Sequence, residues 1–311
     1  MSGVDIVIPC YQYGRFLRDS VGSILQQSFG KVRILIVDNA STDNSVEVAQ
    51  QLAKEDRRVE IVAHKTNLGQ QRSYNEGIDW AAAEYFMILD ADDLLAPACL
   101  SRAVALMEEE RDIVLVHGAE RRIASDGHVD FNEAAEPEDI RWKVESGLDF
   151  IGKLCTAGYN FVNAPTVVRR TSAQKIIGYY PEGLRYANDM NMWLRLATLG
   201  KVAETASTLG IRRLHGRQMT HFYRENRVFD FIEHLNNFRH FFANEGAQIP
   251  HSSREAEKVA KVIGGRSVYV GLKQLARGRV RQGVQCLEFG VKAWLDKADP
   301  YPTLLRAASD R

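Results

Sequence analysis

Three aspartates stand within four residues at Asp90-Ala91-Asp92-Asp93, directly after the apolar run Tyr85–Leu89 (YFMIL). Carboxylates so close repel one another, and a cation offsets that repulsion. Oxygen ligands suit Mg2+ or Mn2+, either of which can bridge a protein carboxylate to a diphosphate. The bland alternative is that Asp93 caps the following helix, which leaves Asp90 and Asp92 unexplained. Two more carboxylates are placed to do chemistry. Asp38 ends the apolar run Lys31–Val37 (KVRILIV), and Asp189 opens the amphipathic segment Asp189–Leu199 (DMNMWLRLATL). For Asp38 the alternative is a cap before the Ser41 segment. For Asp189 it is a first-turn carboxylate favoured by the helix dipole.

The elements that must carry these groups alternate. Val4–Pro9, Lys31–Val37, Val59–Ala63, Tyr85–Leu89 and Ile113–His117 are short apolar runs of the kind buried in parallel strands. Between them lie helical patterns: Phe16, Val21, Ile24 and Leu25; a segment through Lys54 after the capping residues Ser41–Asn44; Gln70–Ala83; and Pro97–Glu110. Strands separated by helices predict an α/β fold with a mostly parallel sheet and helices on both faces. Ligands of such sheets bind at the carboxyl ends of the strands, where Asp38 and the 90–93 cluster fall. The turn after the first strand, Pro9-Cys-Tyr-Gln-Tyr-Gly14, is not GxGxxG, and no GxxxxGK[ST] is present. A dinucleotide enzyme and a P-loop enzyme are therefore excluded. No glycine-rich phosphate loop of a sugar nucleotidyltransferase lies near the start either.

Composition bounds the rest. The 311 residues are 45% hydrophobic and 26% charged, as in ordinary globular proteins. No run approaches the roughly 18 apolar residues of a membrane span. The start MSGVDIVIPC lacks a basic lead, so no signal peptide is expected. Cys10, Cys99, Cys155 and Cys286 lack CxxC spacing, which fits a reducing cytoplasm. Net charge is zero, but residues 1–130 hold 13 Lys+Arg against 21 Asp+Glu, and residues 131–311 hold 27 against 19. The balance argues against nucleic-acid binding and for two different halves. Asn132–Asp139 reads as a linker or lid, Val162–Arg169 as a strand, and 224–243, 253–277 and 280–295 as helices. Residues 251–283 carry eight Lys/Arg and two Glu among apolar positions. That pattern fits packing on the rest of the chain, a dimer contact, or peripheral contact with an anionic membrane at its inner face.

With these pieces assembled, the chain resembles the family 2 glycosyltransferases, inverting enzymes of the GT-A fold. The matching segments are VDIVIPCYQYGRFLRDSVGSILQQ, ILIVDNASTDNS, NLGQQRSYNEGI, YFMILDADDLL, VVRR, YANDMNMWLRLATLGKV and RRLHGRQMT. The resemblance covers about residues 3–220. It implies a nucleotide-sugar-binding half over 1–120, an acceptor-side half over 121–222 and a helical extension over 223–311. It implies Pro9 and Tyr11 lining a base pocket, Asp38 on the edge of the base (usually uracil), and Asn67 and Gly69 shaping an adjoining turn. Asp90 and Ala91 would meet the nucleoside, and Asp92 and His215 a Mn2+ or Mg2+ ion on the diphosphate. Asp189 would be the general base toward an acceptor hydroxyl. Two departures stand out. The family's Ala-Arg-Asn tripeptide is Ser73-Tyr74-Asn75 here, with Arg72 earlier on the same helix expected to reach the nucleotide in place of the tripeptide's arginine, and Asn188 replaces the glutamate of its Glu-Asp pair. Trp193 would wall the acceptor side or belong to the core, and Arg212, Arg213 and Arg217 would flank the diphosphate.

The expectation is an enzyme that moves a sugar from a UDP-sugar to a saccharide or glycolipid, in the assembly of cell-surface polysaccharide or glycoconjugate. A non-catalytic sugar-nucleotide scaffold and a sugar-nucleotide hydrolase are the competing readings.

Overall fold

The computed structural model describes residues 2–127, 140–216 and 218–295. Asn132–Asp139 and Arg217, both named above, lie outside the described residues. In chain order the elements are β1 (Val4–Cys10), α1 (Gly14–Leu25), β2 (Val32–Asp38), α2 (Ser45–Glu55), β3 (Val59–Ala63) and α3 (Gln70–Trp80). Then come β4 (Tyr85–Ile88), β5 (Leu94–Leu95), α4 (Cys99–Glu109), β6 (Ile113–Ala124), β7 (Trp142–Glu145), α5 (Gly147–Ala157), β8 (Val168–Arg170) and α6 (Thr171–Ile177). The chain ends with α7 (Asn188–Ala197), β9 (Lys201–Leu214), α8 (Met219–Glu225), α9 (Arg227–Ala243), α10 (Ser252–Ala276) and α11 (Val280–Trp294).

Two units are interleaved along the chain. The first comprises Met1–Ser146, Val162–Pro181 and Leu199–His215. It holds one sheet in the order β3-β2-β1-β4-β8-β6-β9-β5, with β7 on β9. Strands β3, β2, β1 and β4 are parallel, so Cys10, Asp38 and Ile88 end on the same edge. Alternate residues divide the faces. Ile6, Ile8, Ile34 and Ile36 join Leu17, Val21 and Ile24 of α1, Leu52 of α2 and Leu100 and Met107 of α4 in one core. Each such side chain contributes about 1.5–3 kcal/mol on burial. On the opposite face α3 lies close, because a Cβ on Gly77 would stand 2.5 Å from the Val7 side chain. Asp5 is fully buried within β1 and fully partnered. Its carboxylate accepts Arg33 Nε at 2.8 Å and Nη2 at 2.6 Å, and the main-chain N–H groups of Ala82 and Ala83 at 2.6 and 2.8 Å. A buried carboxylate needs such partners; Arg33 ties β1 to β2, and the two amides tie β1 to the link between α3 and β4.

The sheet is mixed on its other side. β8 runs antiparallel to β4 and β6, while β9 runs parallel to β6 through several register shifts. The strand expected at Val162–Arg169 is mostly a turn. Asn163 C=O accepts Thr166 N–H at 3.0 Å and Thr166 Oγ1 at 2.7 Å, and Ala164–Thr166 is a 3-10 turn. Pro165 has no N–H to give a ladder. Only Val168–Arg170 pairs. The helix expected to reach Ala83 stops at Trp80, since Asp5 accepts the amides of Ala82 and Ala83.

The second unit comprises Gly147–Phe161, Glu182–Thr198 and Gly216–Arg311, and its described elements are helical. On α9, Val228, Phe231, Ile232, Leu235, Phe238 and Phe242 are buried, at the spacing read from the sequence. Asn191 on α7 donates to Asn237 C=O at 2.9 Å, and Arg195 pairs with Glu245 at 2.7 Å. α10 and α11 form a hairpin with backbones in near contact: a Cβ on Gly264 would meet Gly290 O at 2.7 Å, and one on Gly271 would meet Gly283 O at 2.9 Å. No helix among the described residues is long and apolar enough to cross a membrane. The four cysteines are buried and free.

Candidate active site

The carboxyl ends of β1, β2 and β4 gather most of the residues that the motifs single out. Asp38 is fully buried. Its Oδ1 accepts Ser41 N–H at 2.9 Å, which is a turn cap, since α2 begins only at Ser45. Its Oδ2 is buried without a partner. A buried carboxylate oxygen left over from capping is what a ligand-binding group should show. Asp43, not Asn44, receives the first helical amide, Ser45 N–H at 3.0 Å, and also accepts Gly14 N–H at 3.2 Å. The Gln12 N–H donates to Ser41 Oγ at 2.9 Å, so the turns after β1 and β2 are held together. Pro9 is half-buried and Tyr11 is exposed on this rim. Burial, with the Asp38 and Asp43 charges behind it, pushes the Cys10 thiol up to about 12. It is therefore a core group and not a nucleophile.

Asn67 shapes its turn through the side chain: Oδ1 accepts Gly69 N–H at 2.9 Å, and Gly69 adopts φ +85°, a conformation natural to glycine. Asn39 was not singled out by sequence, yet it bridges Asp38 to this turn by donating to Asn67 Oδ1 at 2.8 Å. Its position next to Asp38 was the available signal. Arg72 is exposed on the first turns of α3. Tyr74, at the position where the family has arginine, is buried and donates to Asp90 Oδ1 at 3.4 Å, while its ring lies 4.8 Å from that of Tyr180. The departure from the family motif thus puts a phenol against the acidic cluster.

Asp90, Asp92 and Asp93 can each offer an oxygen within 4.8 Å of the others. Ala91, between the first two, is fully buried. Asp93 carries Arg213 N–H at 3.1 Å on Oδ1, and burial, then the Asp92 and Asp90 charges, push its carboxyl well above the usual range. Asp92 Oδ2 lies 2.9 Å from His215 Nε2. His215 is fixed in place: its ring stacks on Phe16 at 5.1 Å and meets Tyr13 edge-on at 5.3 Å. Burial and the three aspartates push the Tyr13 phenol up. The donor set of carboxylates with one imidazole is short of positive charge and fits a hard divalent cation. The Arg213 guanidinium reaches Asp19 at 3.0 Å and the carbonyls of Ser125 and Gly127, and the Arg212 charge opposes the rise of the Asp93 carboxyl. Arg212 lies 4.0 Å from Glu120.

Residues 5–162, half of the chain, match the family described as glycosyl transferase family 2. The chain belongs to that family. This glycosyltransferase is 25% identical over 225 residues to an uncharacterized glycosyltransferase of Haemophilus influenzae, covering 71% of this chain and 68% of that one. S. aureus TarS, solved with UDP-GlcNAc, superposes with a TM-score of 0.58 at 14% identity over 95% of this chain and 92% of that one. The mannosyltransferase PcManGT of Pyrobaculum calidifontis, solved with GDP-Man and Mn2+, superposes with a TM-score of 0.57 at 14% identity over 95% and 88%. The fold of the glycosyltransferase is the GT-A fold with a helical C-terminal region.

In the second unit, Asp189 sits in the first turn of α7. Its Oδ1 accepts Met190 N–H at 2.9 Å, and its Oδ2 accepts Asn160 Nδ2 at 3.0 Å. Asn188 beside it is buried and donates to Leu184 C=O at 3.5 Å. Trp193 is 3% exposed and belongs to the core of its unit.

Proposed function

We propose that the glycosyltransferase is metal-dependent and inverting, and that it moves a sugar from a nucleoside-diphosphate sugar, with UDP as the carrier, to the hydroxyl of a saccharide or glycolipid. The observation that carries this reading is the Asp90–Asp92–Asp93 cluster with His215 on Asp92, on the same sheet edge as the unpartnered Asp38 oxygen. Asp38 Oδ2 would accept the N–H of the base, as a buried carboxylate oxygen is worth most when it receives a donor. Asp90 would hold the ribose with Ala91 packed behind it. Asp92 and His215 would hold a Mn2+ or Mg2+ ion, which when bound would polarise the diphosphate as a Lewis acid and offset the charge of the departing nucleotide. Tyr13 and Phe16 keep His215 turned toward that place. Asp189 would take the proton of the acceptor hydroxyl as the sugar carbon is attacked from the side opposite the leaving diphosphate, so the anomeric configuration inverts. Asn160 keeps one carboxylate oxygen oriented by donating to it at 3.0 Å. The TarS and PcManGT complexes, one with a uridine and one with a guanosine nucleotide, make the base a matter for measurement.

The deciding experiment is calorimetric titration with UDP, then GDP, in Mn2+, Mg2+ or EDTA. UDP should bind with either metal and lose most of its affinity in EDTA. A preference for GDP would correct the base, and absence of binding to both would remove the nucleotide-sugar reading.

We assign the setting to cell-surface polysaccharide or glycoconjugate assembly, with peripheral membrane contact through 251–283. Near the α10–α11 turn, Tyr269, Leu272, Val280 and Val284 are exposed beside Lys273, Arg277, Arg279 and Arg281. Apolar groups ringed by cations suit an anionic interface. Sedimentation with vesicles should show binding to phosphatidylglycerol-containing lipid and none to pure phosphatidylcholine. Equal recovery in both pellets would remove the membrane contact.

A further inference from the structure

His64, the first residue after β3, joins three elements of the sheet edge through one ring. Nδ1 lies 3.1 Å from Asn39 Oδ1, and Nε2 lies 2.7 Å from Glu76 Oε2 on α3. Its main-chain N–H donates to Asp38 C=O at 2.9 Å. The orientation of both amides is dictated by the backbone. Leu68 N–H points at Asn39 Oδ1 from 2.8 Å, and Gly69 N–H points at Asn67 Oδ1 from 2.9 Å. A main-chain N–H only donates, so these atoms are the amide oxygens and neither side chain is flipped. Asn39 Nδ2 then donates to Asn67 Oδ1, and Nδ1 of His64, 3.1 Å from Asn39 Oδ1, must carry a hydrogen, since two bare lone pairs would repel at that distance. Nε2 pairs with the Glu76 carboxylate.

This network replaces secondary structure where none is available. Residues 64–69 lie between β3 and α3 without a strand or helix of their own, and Leu68 is half exposed at their tip. Asn39 ties the tip of this loop to the end of β2 through Leu68 N–H and Asn67 Oδ1, and Asn39 is held from behind by His64. We propose that His64 is a positioning residue of the donor site. By donating to Asn39 and pairing with Glu76, it locks the end of β2 to the Asn67–Gly69 loop and α3, so that the surroundings of Asp38 are built before a nucleotide arrives. The proposal rests on the reading of Asp38 and Asn67 as base-side residues. A loop ordered in advance spares the ligand the cost of ordering it, so the network acts on donor affinity.

The test measures amide hydrogen exchange at Leu68 and Gly69, and calorimetric UDP binding with Mn2+, in the wild type and three variants. His64→Phe keeps the ring volume without donors, Glu76→Leu removes the far anchor, and Glu76→Gln keeps a hydrogen-bonding partner for Nε2. In His64→Phe and Glu76→Leu, protection of the two amides should fall at least about tenfold, with the amides of β1 and β2 unchanged. UDP should bind about tenfold more weakly in both, while Glu76→Gln stays within about threefold of wild type. Nitrogen-15 spectra should show a protonated Nδ1 on His64. Unchanged protection and UDP affinity in both His64→Phe and Glu76→Leu would overturn the proposal, as would an Nδ1 without hydrogen. A wild type that binds neither UDP nor GDP would instead remove the nucleotide reading, and the exchange data would still decide whether the lock exists.

Discussion

Asp92→Ala is expected to reduce UDP affinity in Mn2+ to the level that the wild type shows in EDTA, a loss of at least about 100-fold. Outer-shell partners of a metal are already worth about 10–100-fold, and Asp92 is proposed as a direct ligand. The side chain touches His215 Nε2 at 2.9 Å, so the substitution also leaves the imidazole without its carboxylate. Stability should move little or rise. Asp92 is the larger of the two charges that push the Asp93 carboxyl up, after burial itself, and removing it relieves that repulsion in the metal-free protein. Calorimetry and thermal melting of the same preparation separate the two effects. A variant that melts like wild type and still binds UDP as tightly in Mn2+ would place the metal elsewhere.

Asp189→Asn is expected to lower kcat by about 100- to 10,000-fold, the range of a general base, with the donor KM within about threefold. The substitution keeps the shape of the side chain. An asparagine Oδ1 can still accept Met190 N–H, and the Asn160 amide can turn so that its oxygen faces the new Nδ2. A fall in kcat at constant donor KM therefore reports lost chemistry. The measurement is steady-state kinetics with the first acceptor that supports turnover of a UDP-sugar, together with the anomeric configuration of the product. A kcat within a few-fold of wild type would remove Asp189 as the base, and a retained configuration would remove inversion.

The site was legible to the extent that it is local. Asp38 and the 90–93 cluster follow apolar runs, and the end of a strand is visible as the point where hydrophobicity gives way to capping chemistry. Their shared edge then follows from parallel pairing. Asn67 and Gly69 announce a turn by residue type alone. Tyr74 shows the limit of a motif: its mismatch could be read from the sequence, but its hydrogen bond to Asp90 and its contact with the Tyr180 ring could not. Asn39 and His64 were passed over because neither belongs to a carboxylate cluster. Their importance lies in amide orientations that backbone donors impose.

β9 escaped detection for a related reason. Its Thr, Ser and Gly residues break the apolar alternation, and it gains its place by pairing with β6 through irregular register. Trp193 read equally well as wall or core, and burial decided for the core.

What the sequence determined alone was the set of elements with strong periodicity, the carboxylates at strand ends and the family to which the chain belongs. Those are properties of short windows, set by backbone geometry, turn chemistry and side-chain period. Tertiary structure decided which distant groups meet: His215 with Asp92, 123 positions earlier, and His64 with Asn39 and Glu76. It also decided that one oxygen of Asp38 stays bare while the other caps a turn. A side chain's type fixes what it can donate or accept, but packing alone fixes which partner is within 3 Å, and that partner decides its role.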